Sequence, residues 1–334
     1  MKKKILFIER KFWGFVSIEK VFEQVSKKLS PENFETSFVK VEYGNDLLGV
    51  FKNLLFFKKS KADIYHVTGH IHYLALILPR KNTILTIHDL GFLHLRSGLR
   101  RFVLKKLFLD LPVKKLKYIT AISETTKNEI LANTNCPPEK IRVIENPVQE
   151  QYLTSVKKDF NKDRPTILQI GTLPNKNVPN LIEALRGIDC RLKIIGRLDE
   201  NLVSELNSNK IAYENVFDLD DAEIKTEYEK ADIVAFCSKY EGFGLPIIEA
   251  QAMRKPVLTS RLNPMMEVAG GAAFLADPED VSDIRDGILK IINDDEFRAE
   301  IVEKGLENIK RFEPEQIAGL YEELYAEVLN EAVK

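Results

Sequence analysis

Short apolar runs of strand length alternate with amphipathic stretches of helical period along most of the chain. In the first half these runs are residues 4–8, 37–41, 63–68, 83–88, 118–122 and 141–144. In the second half they are 166–170, 192–195, 211–216, 233–237, 256–259 and 273–276. Several are nearly continuous in apolar residues, as parallel strands covered on both faces require. Helical stretches such as 17–29, 178–187, 247–253 and 282–293 lie between them. Repeated strand–helix–strand order predicts an α/β protein with two doubly wound, Rossmann-like parallel sheets.

The break between the two falls where Asn146-Pro147 ends a strand and a charged stretch, 157–164, runs up to Pro165. This divides the chain into domains at 1–155 and 156–312. Residues 313–334 read as one final helix. Pro314 suits its first turn, and Ile317, Leu320, Tyr321, Leu324, Tyr325 and Val328 give it an apolar stripe.

Charge sharpens the division. The chain has 334 residues and a net charge of −1. Residues 1–150 carry 26 Lys and Arg against 15 Asp and Glu, a net of +11, and the remainder carries 23 against 35, a net of −12. Such asymmetry argues for two domains with different partners. No stretch reaches the ~20 apolar residues of a membrane span. The apolar run after Lys2, Lys3 and Lys4 is closed by Glu9 and Arg10, too early for a signal peptide, so a cytoplasmic protein is expected. Cys136, Cys190 and Cys237 are few and scattered, which suggests neither a disulfide framework nor a zinc site.

The chemistry concentrates in Glu241-Gly242-Phe243-Gly244-Leu245-Pro246-Ile247-Ile248-Glu249. A buried strand feeds a loop with two glycines, and a helix opens with Pro246 in its first turn, where a missing N–H costs nothing. Ligands of parallel sheets sit at such strand ends. Glycines admit an anion to the backbone, and the first-turn N–H groups point at it. A diphosphate is the natural guest. Carboxylates repel phosphate, so Glu241 and Glu249 should accept hydrogen bonds from hydroxyl groups on either side of it. A diphosphate between two polyols describes a nucleotide-sugar. A Gly-x-Gly pair alone is an ordinary turn; the preceding strand, the proline, the helix and the paired glutamates carry the ligand reading.

This segment resembles the E-x7-E signature of retaining family 4 glycosyltransferases of GT-B fold. Ile170-Gly171-Thr172-Leu173-Pro174-Asn175-Lys176-Asn177, Ala231-Asp232, Pro256 to Ser260 and Glu267-Val268-Ala269-Gly270 fall in the family's order, as do Ile87-His88-Asp89, Ile122-Ser123-Glu124 and Asn146-Pro147. The resemblance implies an acceptor-binding N-terminal domain, a donor-binding C-terminal domain and a last helix that crosses back to the first. It makes Glu241, Lys176 and His88 the catalytic set. Glu241 would bind the sugar and steady an oxocarbenium-like transition state, Lys176 would neutralise the departing diphosphate, and His88 would meet the donor sugar. Glu249 would hold the ribose. Gly171, Thr172, Asn177, Arg197, Val216, Gly242, Phe243, Gly244 and Leu245 complete the donor side. Gly14, Ser17, Gly69, His70, Asp89 and Ser123 are the acceptor-side candidates. The family usually carries an arginine just before its lysine; here Thr172, Pro174 and Asn175 occupy that stretch, and Arg197 is the candidate second cation. The family's Gly-Gly loop after the first strand is replaced by 11–17, with one glycine.

His66, His70 and His72 lack a carboxylate or cysteine at ligand spacing, so no metal is expected, and no cofactor beyond the nucleotide-sugar substrate. A basic run, Arg96, Arg100, Arg101, Lys105, Lys106, Lys114, Lys115 and Lys117, interleaves with Leu99, Phe102, Val103, Leu107 and Leu109. It reads either as a solvated helix face or as contact with an anionic membrane. No base-reading motif suggests nucleic acid. The expected function is transfer of a sugar from a nucleoside-diphosphate-sugar to a glycan or lipid-linked acceptor in surface polysaccharide or glycolipid synthesis. The alternatives are a nucleotide-sugar epimerase of related fold and a non-catalytic nucleotide- or glycan-binding module.

Overall fold

The computed structural model describes residues 2–11, 17–94, 97–154 and 158–332. Each apolar run becomes a strand. β1 (Lys3–Glu9), β2 (Phe34–Lys40), β3 (Ile64–Val67), β4 (Thr83–Ile87), β5 (Tyr118–Ala121) and β6 (Ile141–Val143) form one six-stranded sheet. β7 (Thr166–Ile170), β8 (Arg191–Ile195), β9 (Tyr213–Val216), β10 (Ile233–Phe236), β11 (Val257–Ser260) and β12 (Phe274–Ala276) form the second. All neighbours are parallel. β3, β4, β5, β10 and β11 are buried at every residue, which is why their sequences show no alternation.

Strand order fixes where a ligand can sit. The first sheet runs β2-β1-β3-β4-β5-β6 and the second β12-β11-β10-β7-β8-β9. Each reverses once, between β1 and β3 and between β7 and β10, and the crevice of a doubly wound sheet opens at the carboxyl ends of the strands flanking that reversal. β7 and β10 register only at Ile233↔Ile167 and Val234↔Leu168. The loops that follow these two strands stand at the reversal.

The chain divides into two compact units, 1–147 with 314–334, and 148–313. The division lies eight residues before the boundary expected at 155. The Val148 amide donates to the Phe312 carbonyl at 2.9 Å. Tyr152 is buried with its ring 5.3 Å from that of Tyr228. Burial of one aromatic residue, invisible in the charge pattern, carries this segment into the second unit.

The last helix, Pro314–Ala332, belongs to the first unit. Ile317, Tyr321, Leu324, Tyr325 and Val328 of its stripe are buried with Ile5 and Phe7 of β1 and with Val21, Phe22 and Val25 of helix Ser17–Lys28. Leu320 is only partly buried at the margin of this cluster.

Candidate active site

The loop after β7 folds Lys176 back over Gly171, the residue that follows the strand. Gly171 has φ +86°, and a Cβ there would lie 2.9 Å from Lys176 Cε. Only glycine permits both the backbone and the lysine's path. A tight turn, Pro174–Lys176, delivers the side chain. Its Nζ lies 2.6 Å from Glu241 Oε1 and 4.6 Å from the centre of the Phe236 ring, the last residue of β10. Both charged groups are mostly buried, at 17 % and 15 % exposure, so little water screens the pair. Asn175 laces the two loops together: its Nδ2 donates to Glu241 Oε1 and the Tyr240 carbonyl, and its carbonyl accepts the Lys239 amide.

The loop after β10 ends at Gly244, whose φ of +120° starts the helix Leu245–Ala252. A Cβ at Gly244 would lie 3.0 Å from Ile247 Cδ1. Pro246 occupies the first turn, as its sequence position implies. The Phe243 ring is buried against Phe312, at 5.8 Å between centres, so this residue offers a ligand its backbone. Glu249 faces inward from the helix at 8 % exposure, and Tyr228 Oη donates to its Oε2 at 2.6 Å. Burial, with Glu249 beside it, holds the Tyr228 hydroxyl far above its ordinary pKa, so it stays a donor.

The remaining donor-side residues divide. Thr172 Oγ1 donates to the Arg197 carbonyl, which ties the loop after β7 to the one after β8. Val216 ends β9, and its carbonyl accepts the Gly196 amide. Asn177 is buried at φ 58°, and its side-chain amide donates to the Pro278 carbonyl at 2.7 Å, which anchors the loop from within. Arg197 pairs with Asp218 and stacks 4.4 Å over Phe217, with its side chain 68 % exposed. Its charge is matched there, beyond β9, and the site's described cation is Lys176.

The strand ends of the first sheet carry the acceptor-side candidates. His88 is buried, and its Nε2–H donates to the Thr68 carbonyl at 2.8 Å. Burial, then the neighbouring His70, pulls its pKa down to about 3, so the ring is neutral and Nδ1 is left as an acceptor. His70 Nε2 lies 3.3 Å from Asp89 Oδ2. Burial opposes the Asp89 charge, but the His70 hydrogen bond and charge and the Gly91 amide outweigh it and hold the carboxyl below its usual range. Gly69 packs on the Arg10 backbone, where a Cβ would lie 3.3 Å from its nitrogen. Ser123 is fully buried, and its Oγ caps helix Glu124–Asn133 by accepting the Thr126 amide. Ser17 starts helix Ser17–Lys28, its side chain outside the described residues; Gly14 and Arg96 lie outside them altogether.

The three clustered histidines take different partners. His66 is wholly buried between Tyr325 Oη and Thr86 Oγ1, and His72 is buried with Nδ1 on the Phe108 carbonyl, while His70, its ring 6.2 Å from that of His72 and 6.1 Å from that of His88, lies beside Asp89. Asn175, Phe236 and Tyr228 escaped the sequence reading. Asn175 had a signal, its place beside Lys176. Tyr228 had none, because only the packing of helix Asp221–Lys230 brings it to Glu249.

Two family models match in succession, "Glycosyltransferase Family 4" over residues 33–152 and "Glycosyl transferases group 1" over 153–308. The O-antigen chain mannosyltransferase B of Escherichia coli is 29 % identical over 282 residues, 75 % of this chain and 71 % of that protein. The capsular polysaccharide biosynthesis glycosyltransferase CapM of Staphylococcus aureus is 27 % identical over 317 residues, 84 % and 80 %. Among solved structures, Anabaena HepE in complex with UDP and glucose superposes with a TM-score of 0.77 at 16 % identity, covering 97 % of this chain and 100 % of that one. Two doubly wound parallel sheets, the second bearing a lysine–glutamate pair and a glycine loop at its point of reversal, define a glycosyltransferase of GT-B architecture. The chain belongs to glycosyltransferase family 4. That membership sets aside the epimerase and the non-catalytic module.

Proposed function

We propose that the enzyme transfers a sugar from a nucleoside-diphosphate-sugar, with retention and without a metal ion, to a glycan or lipid-linked acceptor of a surface polysaccharide or glycolipid. The observation that carries this is the Lys176–Glu241 pair beside the helix start at Gly244. Departure of a nucleoside diphosphate builds charge that a preorganised ammonium stabilises. Glu241, already fixed by Lys176 and Asn175, offers the sugar hydroxyls a carboxylate in a set position. Glu249, oriented by Tyr228, takes the ribose. The leaving phosphate accepts the acceptor's proton as the C1–oxygen bond breaks and the new one forms on the same face. His88 serves as a neutral hydrogen-bond acceptor. The relatives' names support the polysaccharide setting, and the UDP complex makes uridine nucleotides the first donors to try.

Contact with an anionic membrane through the basic run belongs to the same proposal. Lys115 is spent on the Leu76 and Leu78 carbonyls, and Lys105 and Lys106 share Asp110, so Arg100, Arg101 and Lys114 are its main cations. Among the described residues no helix is long and apolar enough to cross a membrane. The test is a thermal-shift panel of nucleoside diphosphates and nucleotide-sugars with and without EDTA. A ligand at 100 times its Kd adds roughly 2.7 kcal/mol of stability. EDTA should leave both shift and turnover unchanged. Absence of a shift with every nucleotide sinks the donor assignment, and loss of turnover in EDTA sinks the metal-free one.

A further inference from the structure

The first unit holds a cavity of about 990 Å³ that the donor chemistry leaves unused. Its walls are Leu47 and Leu48 of helix Leu47–Phe56, Leu99 and Val103 of helix Gly98–Lys105, and the rings of Phe92 and Phe108. That volume lies at the upper end of ordinary small-molecule sites. The cavity is apolar at its mouth as well as within: Leu47, Leu48 and Leu99 are 68 %, 61 % and 78 % exposed. The apolar surface continues outward along both helices. Phe51 and Leu55 follow Leu47 at helical spacing, Phe102 follows Leu99, and all three are more than half exposed. Isolated exposed leucines need no explanation; a joined set leading into a cavity does.

The polar part of the lining says what kind of molecule fits. Asp46 is occupied by capping the Gly49 amide, and Asp89 by His70 and the Gly91 amide. Arg100 is the cation of the lining, and Arg101 adjoins it on the same helix. An apolar hollow with Arg100 in its lining and both of its carboxylates already engaged complements a hydrocarbon chain that carries an anionic head.

We infer that the cavity takes the hydrocarbon chain of an anionic amphiphile whose head meets Arg100, which makes the acceptor lipid-linked. The inference rests on the transferase reading for naming this occupant as the acceptor; the cavity's preference for a chain does not. It is tested on the full chain with cis-parinaric acid, a fluorescent straight-chain acid, kept below its aggregation threshold. The expected result is saturable binding of one probe per chain, displaced by dodecyl phosphate and untouched by methyl phosphate. Leu47→Glu with Leu99→Glu, both at exposed positions, should weaken the probe at least tenfold while the melting temperature holds. Leu99→Glu alone serves if the pair fails to fold. No saturable binding, equal displacement by methyl phosphate, or unchanged affinity in a folded variant would each overturn it. Nucleoside-diphosphate shifts on the same samples read the donor assignment separately.

Discussion

Lys176 and Glu241 are 65 positions apart in sequence and 2.6 Å apart in space, and the ion pair between them changes how each should behave on substitution. Removing one member leaves the other partly buried and unmatched. Lys176→Ala and Glu241→Ala should each lower kcat about 10²–10³-fold, the size of losing one preorganised charge. The double variant should lose far less than the product, because residues that act as a unit are non-additive. Single-turnover rates for the three variants check this; multiplicative losses would mean that the pair is incidental. Tyr228→Phe deletes one donor to a buried carboxylate and should weaken nucleotide binding by about 1–3 kcal/mol. Titration calorimetry with the cognate nucleotide reads it directly. At this scale the sequence showed both glutamates and the lysine, because turn, strand and helix signals surround them. It did not show that Asn177 and Ser123 turn inward, since a polar residue beside a ligand loop looks the same whether it faces ligand or backbone.

Strands were the most legible elements. Parallel strands buried on both faces must be continuous apolar runs, so Thr83–Ile87 and Ile233–Phe236 stand out against helical surroundings. Their order was not legible, because pairing across a crossover leaves no local mark, and the reversal beside β7 that locates the site emerged only with the sheet. The final helix was legible as an amphipathic stripe, and its burial against β1 predicts its worth. Tyr321→Ala should cost about 3–5 kcal/mol, as for other large aromatic deletions in cores, and should show in urea unfolding of the first unit. His66, which bonds this helix through Tyr325, and His72 and His88 elsewhere in the first unit have pKa values that fall to about 3, 4 and 3, chiefly by burial. Folding therefore favours their neutral forms. Their contribution is complete above the unfolded value near 6.5 and is lost as pH falls towards the folded values, by at most about 1.4 kcal/mol per pH unit for each. Denaturant midpoints should accordingly drop between pH 7 and pH 5, and a flat profile would deny that these rings are held neutral.

The whole molecule joins a basic half to an acidic half, and the charge split falls close to the structural one at 147–148. If the basic helix of the first unit meets an anionic bilayer, the full chain should float with phosphatidylglycerol-containing vesicles and not with phosphatidylcholine alone. Arg100→Glu with Arg101→Glu should reduce that capture several-fold, given about 1 kcal/mol per basic residue near the surface. Capture indifferent to lipid charge would refute it. On the proposed mechanism, Lys176 and Glu241 act on a nucleotide-sugar held at the reversal of the second sheet. The most direct measurement is release of nucleoside diphosphate from the cognate donor by the wild type and by Lys176→Ala, with nucleotide-induced thermal stabilisation recorded on both. Lys176→Ala should lose about 10²–10³-fold in rate while a stabilising shift persists; an unchanged rate would show that Lys176 does not serve the departing diphosphate.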